Sequence, residues 1–182
     1  AAAIAKELEL AQKQLEEAKK GPGVSPELES IWAKLAALTK KHKEVTWDAN
    51  SSKLLVSVEF DLGKAEVKPS GKAILKDIAS VLKGLSSEFK VCVDGHTDNL
   101  PIVQPETLKK YKNNRELSLA RASAVCSVMA EYGVPGKQMI ARGFGEYYPI
   151  ASNLNAEGRQ KNRRVEISVI PASAAFTPTA MA

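Results

Sequence analysis

The segments that decide the fold are DGHTDNLPI at residues 94–102 and NNRELSLARA at residues 113–122. Val91 and Val93 share one face just before the first segment, which predicts a short strand that ends at Gly95. The second segment opens a run of apolar side chains at helical spacing. That run consists of Ala122, Val125, Met129 and Tyr132. Because the polar groups concentrate between the strand and the helix, we expect the functional site in this stretch.

Asp98 and Arg121 are the charged pair on which the functional prediction rests. They are 23 positions apart, so only tertiary folding can bring them together. A strand end that delivers the carboxylate and a helix that carries the guanidinium can place both around one crevice. Taken singly, Asp98 would be a turn residue that bonds its own backbone, and Arg121 would be a surface helix charge. Asn114 could likewise be a helix N-cap.

The regions on either side of this stretch add further strands and one strong helix. Residues 45–60 alternate in polarity and predict a hairpin or strand pair, whereas residues 69–85 are amphipathic with a helical period. Residues 139–142 and 165–170 predict two more short strands. The order strand, helix, strand, helix, strand, strand predicts an α/β domain of the two-layer α+β kind, with helices on one side of a mixed sheet.

The N-terminal region has a different pattern. Apolar residues recur in alternating steps of four and three, as in a coiled-coil seam, at Ile4, Leu8, Ala11, Leu15 and Ala18. Gly21, Pro22 and Gly23 should end this helix, and Ser25 before Pro26 should cap a second one. We predict an N-terminal helical segment at residues 1–44, the main domain at 45–171 and a disordered tail at 172–182. The two helices would pack on each other or on a partner copy.

The composition is that of a soluble globular protein with a mild basic excess. The chain has 182 residues and a net charge of +5, from 26 basic and 21 acidic side chains. This excess favours anionic partners without selecting nucleic acid among them. No apolar run approaches the roughly 18 to 20 residues that a membrane span requires, so we expect a membrane anchor to be absent from this chain.

Two other kinds of site have to be weighed against the crevice. Asp94, His96 and Asp98 could share one face of a strand and suggest a metal-dependent hydrolase, but no further ligand completes a set, so we expect no metal, no cofactor and no catalytic residues. The basic run at residues 159–164 suggests a nucleic-acid-binding module. No aromatic platform lies beside it, which argues against binding single strands by stacking and favours a solvated or internally paired turn.

Four ordered motifs resemble those of the OmpA-like peptidoglycan-binding family. They are GHTDNLPI at 95–102, NRELSLARA at 114–122, GFGE at 143–146 with Pro149 and Asn153, and GR at 158–159 followed by NRRVEI at 162–167. The resemblance spans about residues 54–170. The Asn-Leu-Pro-Ile continuation after Asp98 resembles the flagellar stator (MotB) branch rather than the porin branch.

The resemblance implies a non-enzymatic module that binds the peptide stem of peptidoglycan at the free end of meso-diaminopimelate. The family's two gripping residues match Asp98 and Arg121 in this sequence. The positions that line the same pocket match Thr97, Asn114 and Leu117, and Arg164 is a weaker candidate. One carboxylate and one planar guanidinium suit a ligand end that carries an ammonium and a carboxylate.

The resemblance also implies a periplasmic protein associated with the cell wall and anchored to a membrane in its full-length form. It could be a flagellar motor stator subunit, a wall-tethering lipoprotein or an outer-membrane protein. A single site of this kind binds weakly, so a homodimer formed through the N-terminal seam would strengthen attachment through avidity.

Overall fold

The structure is a computed structural model that describes residues 2–19 and 25–174, without the side chains of residues 14–19. Its strands are β1 (Val45–Asp48), β2 (Lys53–Val56), β3 (Phe89–His96), β4 (Met139–Gly143) and β5 (Arg164–Pro171). Its helices are α1 (Ala2–Lys19), α2 (Pro26–Ala37), α3 (Pro69–Leu82), α4 (Pro105–Lys110), α5 (Asn114–Glu131) and α6 (Ala156–Asn162).

The five strands form one mixed sheet in the order β1-β2-β5-β3-β4. β3 and β4 are parallel and are joined through α5, whereas the final strand, β5, lies between β2 and β3 and is antiparallel to both. The predicted α/β class with a mixed sheet is therefore confirmed. Because β5 is antiparallel to β3, its first residue, Arg164, pairs with His96 at the end of β3, where the loop at residues 97–104 begins.

The hydrophobic core lies between one face of the sheet and the helices. The apolar faces predicted for α3 and α5 are buried, and α3 packs against α5. The strand residues in this core alternate along each strand, as a sheet with one covered face requires. They are Val45, Leu54, Val56, Phe89, Val91, Val93, Val165, Ile167 and Val169. The alternate positions of β3, which are Lys90, Cys92, Asp94 and His96, therefore point to the opposite face of the sheet.

Gly95 lets β3 and α5 approach closely beside the loop. A Cβ atom built at Gly95 would collide with the backbone carbonyl oxygen of Ser118 in α5. Glycine is needed there because any larger residue would push the strand away from the helix. The contact places the strand end that leads to Thr97 and Asp98 directly against the N-terminal half of α5.

The second N-terminal helix belongs to the same core as the sheet. The predicted cap is confirmed, since the Ser25 hydroxyl accepts a hydrogen bond from the Leu28 backbone N–H at 3.2 Å. The Glu27 carboxylate in turn accepts bonds from the Ser86 backbone N–H and hydroxyl at 3.1 and 2.9 Å. The core thus extends across the predicted boundary at residue 44, through buried Leu28, Ile31 and Leu35.

The first helix, α1, is exposed along residues 2–13. Ile4 and Leu8 of the predicted seam have exposed fractions of 71% and 59%. Leu15 and Ala18, which would continue the seam, lie outside the described side chains, as do most residues of the predicted tail. Among the residues that the structure describes, no helix has the length and apolar character needed to cross a membrane.

The structure departs from the sequence prediction at one strand and at two short helices. The alternation predicted through Phe60 does not extend β2 beyond Val56, where its pairing with β5 ends at Val165. The chain then leaves the sheet, and residues 57–68 run without regular structure to α3. The short helices α4 and α6 were not predicted, because six or seven residues carry too little periodicity to be recognised.

Candidate functional site

A cavity of about 660 Å³ lies where the end of β3 meets α5. One wall is the irregular segment that follows β2 and includes Phe60 and Gly63. The opposite wall is the loop at residues 97–104, and α5 forms the floor with Asn114, Leu117 and Arg121. The remaining side is closed by Gln160 of α6 and by Arg163, which directly follows the end of α6.

Hydrogen bonds from the loop itself and from α5 hold the loop in shape. The Asp98 Oδ1 atom accepts from the Leu100 backbone N–H at 3.0 Å, and the Thr97 hydroxyl donates to the Asp98 carbonyl at 2.8 Å. Asn114 donates its side-chain amide to the carbonyls of Leu100 and Asp98 at 3.0 and 3.4 Å. Asn114 is therefore the residue that fixes the loop to α5, whereas the side chain that caps the helix is that of Asn113.

Asp98 places a carboxylate on the cavity wall. Its side chain is only 10% exposed, and its Oδ2 atom accepts a hydrogen bond from the Arg163 Nη1 atom at 2.6 Å. Arg163 is more accessible, with 44% of its side chain exposed. Asp98 therefore forms the turn expected of a lone aspartate, and it also forms an ion pair with the long, partly exposed side chain of Arg163.

Arg121 presents a guanidinium to the same cavity. Its Nε atom donates to the Lys64 carbonyl at 3.0 Å, and its Cζ atom lies 4.8 Å from the centre of the Phe60 ring. Burial, with a smaller contribution from the positive charge of Arg163, lowers the pKa of Arg121 to about 10, so the group remains charged at neutral pH. Within the described part of the chain, no carboxylate lies within ion-pairing distance of Arg121.

The structure brings five of the six predicted site residues to this cavity, namely Thr97, Asp98, Asn114, Leu117 and Arg121. Arg164 does not line it. Arg163 does, and the prediction missed it. Arg163 is the residue before β5 and Arg164 is its first residue, and their side chains point in different directions, Arg163 into the cavity and Arg164 towards Glu166. The run NRRV at residues 162–165 indicates that an arginine lies at the site. Which of its two arginines lines the cavity depends on where β5 begins and cannot be read from the sequence.

Arg164 instead belongs to a buried polar network on the other face of the sheet. Its Nε atom donates to the Glu166 carboxylate at 2.7 Å, and its Nη atoms donate to the Asn162 and Tyr148 carbonyls at 3.2 and 3.0 Å. Burial favours the neutral acid, but the charge and hydrogen bond of Arg164 outweigh it, so the pKa of Glu166 lies below its usual value. The pair orders the start of β5, and with it the position of Arg163.

The three residues considered as metal ligands each contact different groups. They are Asp94, His96 and Asp98. Arg142 binds both oxygens of Asp94, at 2.6 and 2.8 Å, while Asp98 lies in the cavity. His96 stacks on Phe144 with ring centres 5.2 Å apart, and burial lowers the pKa of His96 to about 4. Among the described side chains, those of residues 2–13 and 25–174, no three of His, Cys, Asp or Glu cluster as a metal site would require.

Removing metal ions should therefore leave ligand binding by the cavity unchanged. The expected result is the same affinity before and after dialysis against a chelator, because the candidate ligands are held by Arg142 and by ring stacking. The measurement is a binding titration together with elemental analysis of the purified protein. A stoichiometric transition metal whose loss abolishes binding would contradict this expectation and restore the hydrolase interpretation.

Comparison with known proteins places the chain in a known family. The model of the OmpA family matches residues 59–163, which contain the end of β3, all of α5 and Arg163. Motility protein B of Bacillus subtilis is 34% identical over 159 residues, covering 83% of this chain and 59% of that protein. Outer membrane porin F of Pseudomonas aeruginosa is 39% identical over 133 residues, covering 69% of this chain and 35% of the porin.

Solved structures give the same fold. The cell wall anchor of the T6SS from Pseudomonas aeruginosa matches with a TM-score of 0.63 and 28% identity, over 78% of this chain and 96% of that one. A MotB-like protein from Desulfovibrio vulgaris matches with a TM-score of 0.66 and 24% identity, over 88% of this chain and 99% of that one. These relatives are named as motility, porin, anchor and MotB-like proteins.

Proposed function

This chain belongs to the OmpA family, and we propose that its cavity binds the peptide stem of peptidoglycan non-covalently, at the free end of meso-diaminopimelate. One observation carries the proposal. The cavity holds a carboxylate, Asp98, together with a guanidinium, Arg121, that has no carboxylate partner in the described part of the chain. The Arg121 guanidinium is therefore available to bind an anion, and the Asp98 carboxylate beside it can bind a cation.

The free end of diaminopimelate carries one ammonium and one carboxylate on the same carbon atom. Asp98 takes the ammonium, and the planar fork of Arg121 takes the carboxylate through two parallel hydrogen bonds. Phe60 and Lys64 hold that fork in place through the ring contact and the carbonyl bond described above. Thr97 and Asn114 fix the loop that carries Asp98, and Leu117 supplies an apolar surface for the methylene groups of the ligand.

The expected affinity of one such site is modest. Each charge-assisted hydrogen bond contributes roughly 1.5 to 3 kcal/mol, so two or three of them leave a dissociation constant between millimolar and micromolar after the cost of association. Stable attachment to the wall then requires several sites to act together. Two linked copies on a polymeric ligand gain affinity through effective concentration.

The proposed role in the cell is to anchor a membrane or envelope protein to the wall from the periplasm. The relative described as a cell wall anchor supports the anchoring role, and Motility protein B supports a stator-type subunit. The chain spans 59% and 35% of the lengths of the two curated relatives reported above, so activities of the whole proteins stay proposals for this chain. A wall-tethering lipoprotein or outer-membrane protein would use the same cavity.

We propose further that α1 joins two copies into a dimer through Ile4, Leu8 and Ala11. The substitution Leu8→Asp should then convert a dimer into a monomer, because it places a charge in the apolar seam. Leu10→Asp is the matched control, since Leu10 is similarly exposed, at 57%, but lies off the seam. Sedimentation velocity measures the outcome. A wild-type monomer, or equal effects of the two substitutions, would contradict the seam.

The function is tested by co-sedimentation with purified peptidoglycan sacculi. The chain should be depleted from solution by the insoluble wall and released by a soluble stem peptide that contains diaminopimelate. A stem peptide with lysine in place of diaminopimelate is the matched competitor, because it lacks the second carboxylate and should release little protein. Equal release by both peptides would exclude recognition of the free end, and no depletion at all would exclude wall binding.

A further inference from the structure

Arg163 occupies the position that the proposed function assigns to the ammonium of the ligand. Its Nη1 atom is 2.6 Å from the Asp98 Oδ2 atom, and this is the single hydrogen bond of its side chain within the described residues. Because 44% of the Arg163 side chain is exposed, it can leave Asp98 without breaking a packed core contact. Exposed side chains of this length change rotamer within nanoseconds.

Arg163 loses its ion-pair partner once Asp98 is taken by a ligand. Among the other charged residues that line the cavity, Lys68 is paired with Asp61 at 2.8 Å, and Glu59 forms no ion pair within the described residues. If an ammonium replaces Arg163 at Asp98, the Arg163 guanidinium loses its one ion pair, while Arg121 is occupied by the free-end carboxylate of the ligand. Arg163 and Arg121 already repel each other in the free protein, where the charge of Arg163 contributes to the lowered pKa of Arg121.

From this arrangement we infer that Arg163 is a displaceable counter-ion, which the ligand ammonium releases from Asp98 and which then binds a second carboxylate of the same stem peptide. The inference rests on the proposed function and extends it to ligand selectivity. Gln160 lies three positions before Arg163 and also lines the cavity, so its amide can donate to the same carboxylate. The exchange keeps both Asp98 and Arg163 paired before and after binding.

Two carboxylates of a stem peptide have the required chemistry. One is the α-carboxylate of the γ-linked glutamate that precedes diaminopimelate, and the other is the carboxylate at the C-terminal end of the stem. Both are lost on amidation without a change in shape. The inference therefore predicts that the site discriminates amidated from free stems even when the diaminopimelate end is intact.

The test is a calorimetric titration of a soluble tetrapeptide stem in three forms, with both carboxylates free, with the glutamate amidated, or with the C-terminus amidated. One amidated form should bind wild type roughly tenfold more weakly, as expected for one charge-assisted contact. Arg163→Gln should lose the same factor with the free peptide and show no further loss with that amidated form. Lys161→Gln, an exposed charge that does not line the cavity, is the matched control and should behave as wild type.

The form that shows the loss identifies which carboxylate is bound. Equal binding of all three forms to wild type, or binding of the free peptide to Arg163→Gln as tight as or tighter than to wild type, would overturn the inference while leaving the proposed function intact. Failure of every form to bind wild type would overturn the proposed function, and this inference with it.

Discussion

Arg121→Ala and Asp98→Asn are each expected to weaken binding of the stem peptide by roughly 2 to 3 kcal/mol, or tens of fold. Alanine at position 121 removes the fork for the ligand carboxylate. Asparagine at position 98 keeps an oxygen that can accept from the Leu100 N–H, and so preserves the turn, but loses the charge that attracts the ammonium. The measurement is a titration of each variant with the soluble peptide.

Arg115→Ala is the matched control for these variants. Arg115 lies on the same helix but stacks over Tyr147 at 5.1 Å and does not line the cavity. It should bind as wild type does, and all three variants should unfold cooperatively in denaturant. Binding by the Asp98→Asn and Arg121→Ala double variant that equals wild type would mean that the two residues are only a turn former and a helix charge.

The largest effect on stability is expected from Arg164→Ala. Removing one partner of a buried ion pair typically destabilises a protein by roughly 3 to 5 kcal/mol, because the other charge is left without compensation. Here the orphan is Glu166, whose side chain is 10% exposed, and Lys53 at 3.4 Å compensates for it only in part. Urea unfolding should show this loss in the free energy of unfolding.

Glu166→Gln in the same chain provides the control for that experiment. Because the amide carries no charge, Arg164→Ala combined with Glu166→Gln should be more stable than Arg164→Ala alone. Because Arg164 does not line the cavity, both variants should keep measurable stem-peptide binding under conditions in which they are folded. A loss of stability below about 1 kcal/mol for Arg164→Ala, together with a complete loss of binding, would instead make Arg164 a ligand contact.

Periodicity predicted the parts of the fold that bury one continuous face. α3 and the apolar residues of α5 and β3 were recognised because their spacing is repeated over many residues. α4 and α6 are too short for such a signal, and the end of β2 depends on where its partner β5 stops. The end of β2 is set by its pairing with β5, and the residue pattern of β2 alone carries no information about that pairing.

The candidate site shows the same division at the level of single residues. Asp98 and Arg121 were recognised from the motifs that flank them. In the pairs Asn113–Asn114 and Arg163–Arg164, the two residues are of the same type and differ only in where their side chains point. That direction is set by the first residue of α5 and by the register of β5 against β3. A shift of one residue exchanges a loop-fixing amide with a helix cap, and a cavity arginine with a buried one.

The central claim is that Asp98 and Arg121 grip opposite charges at one end of one ligand. It is tested most directly by titrating wild type and Arg121→Ala with two stem peptides that differ only in whether the free-end carboxylate of diaminopimelate is amidated. Amidation should weaken wild type by tens of fold, about as much as Arg121→Ala does, and should add little to that variant because the contact is already gone. Equal losses on amidation in both proteins would show that Arg121 does not bind this carboxylate, and would contradict the account.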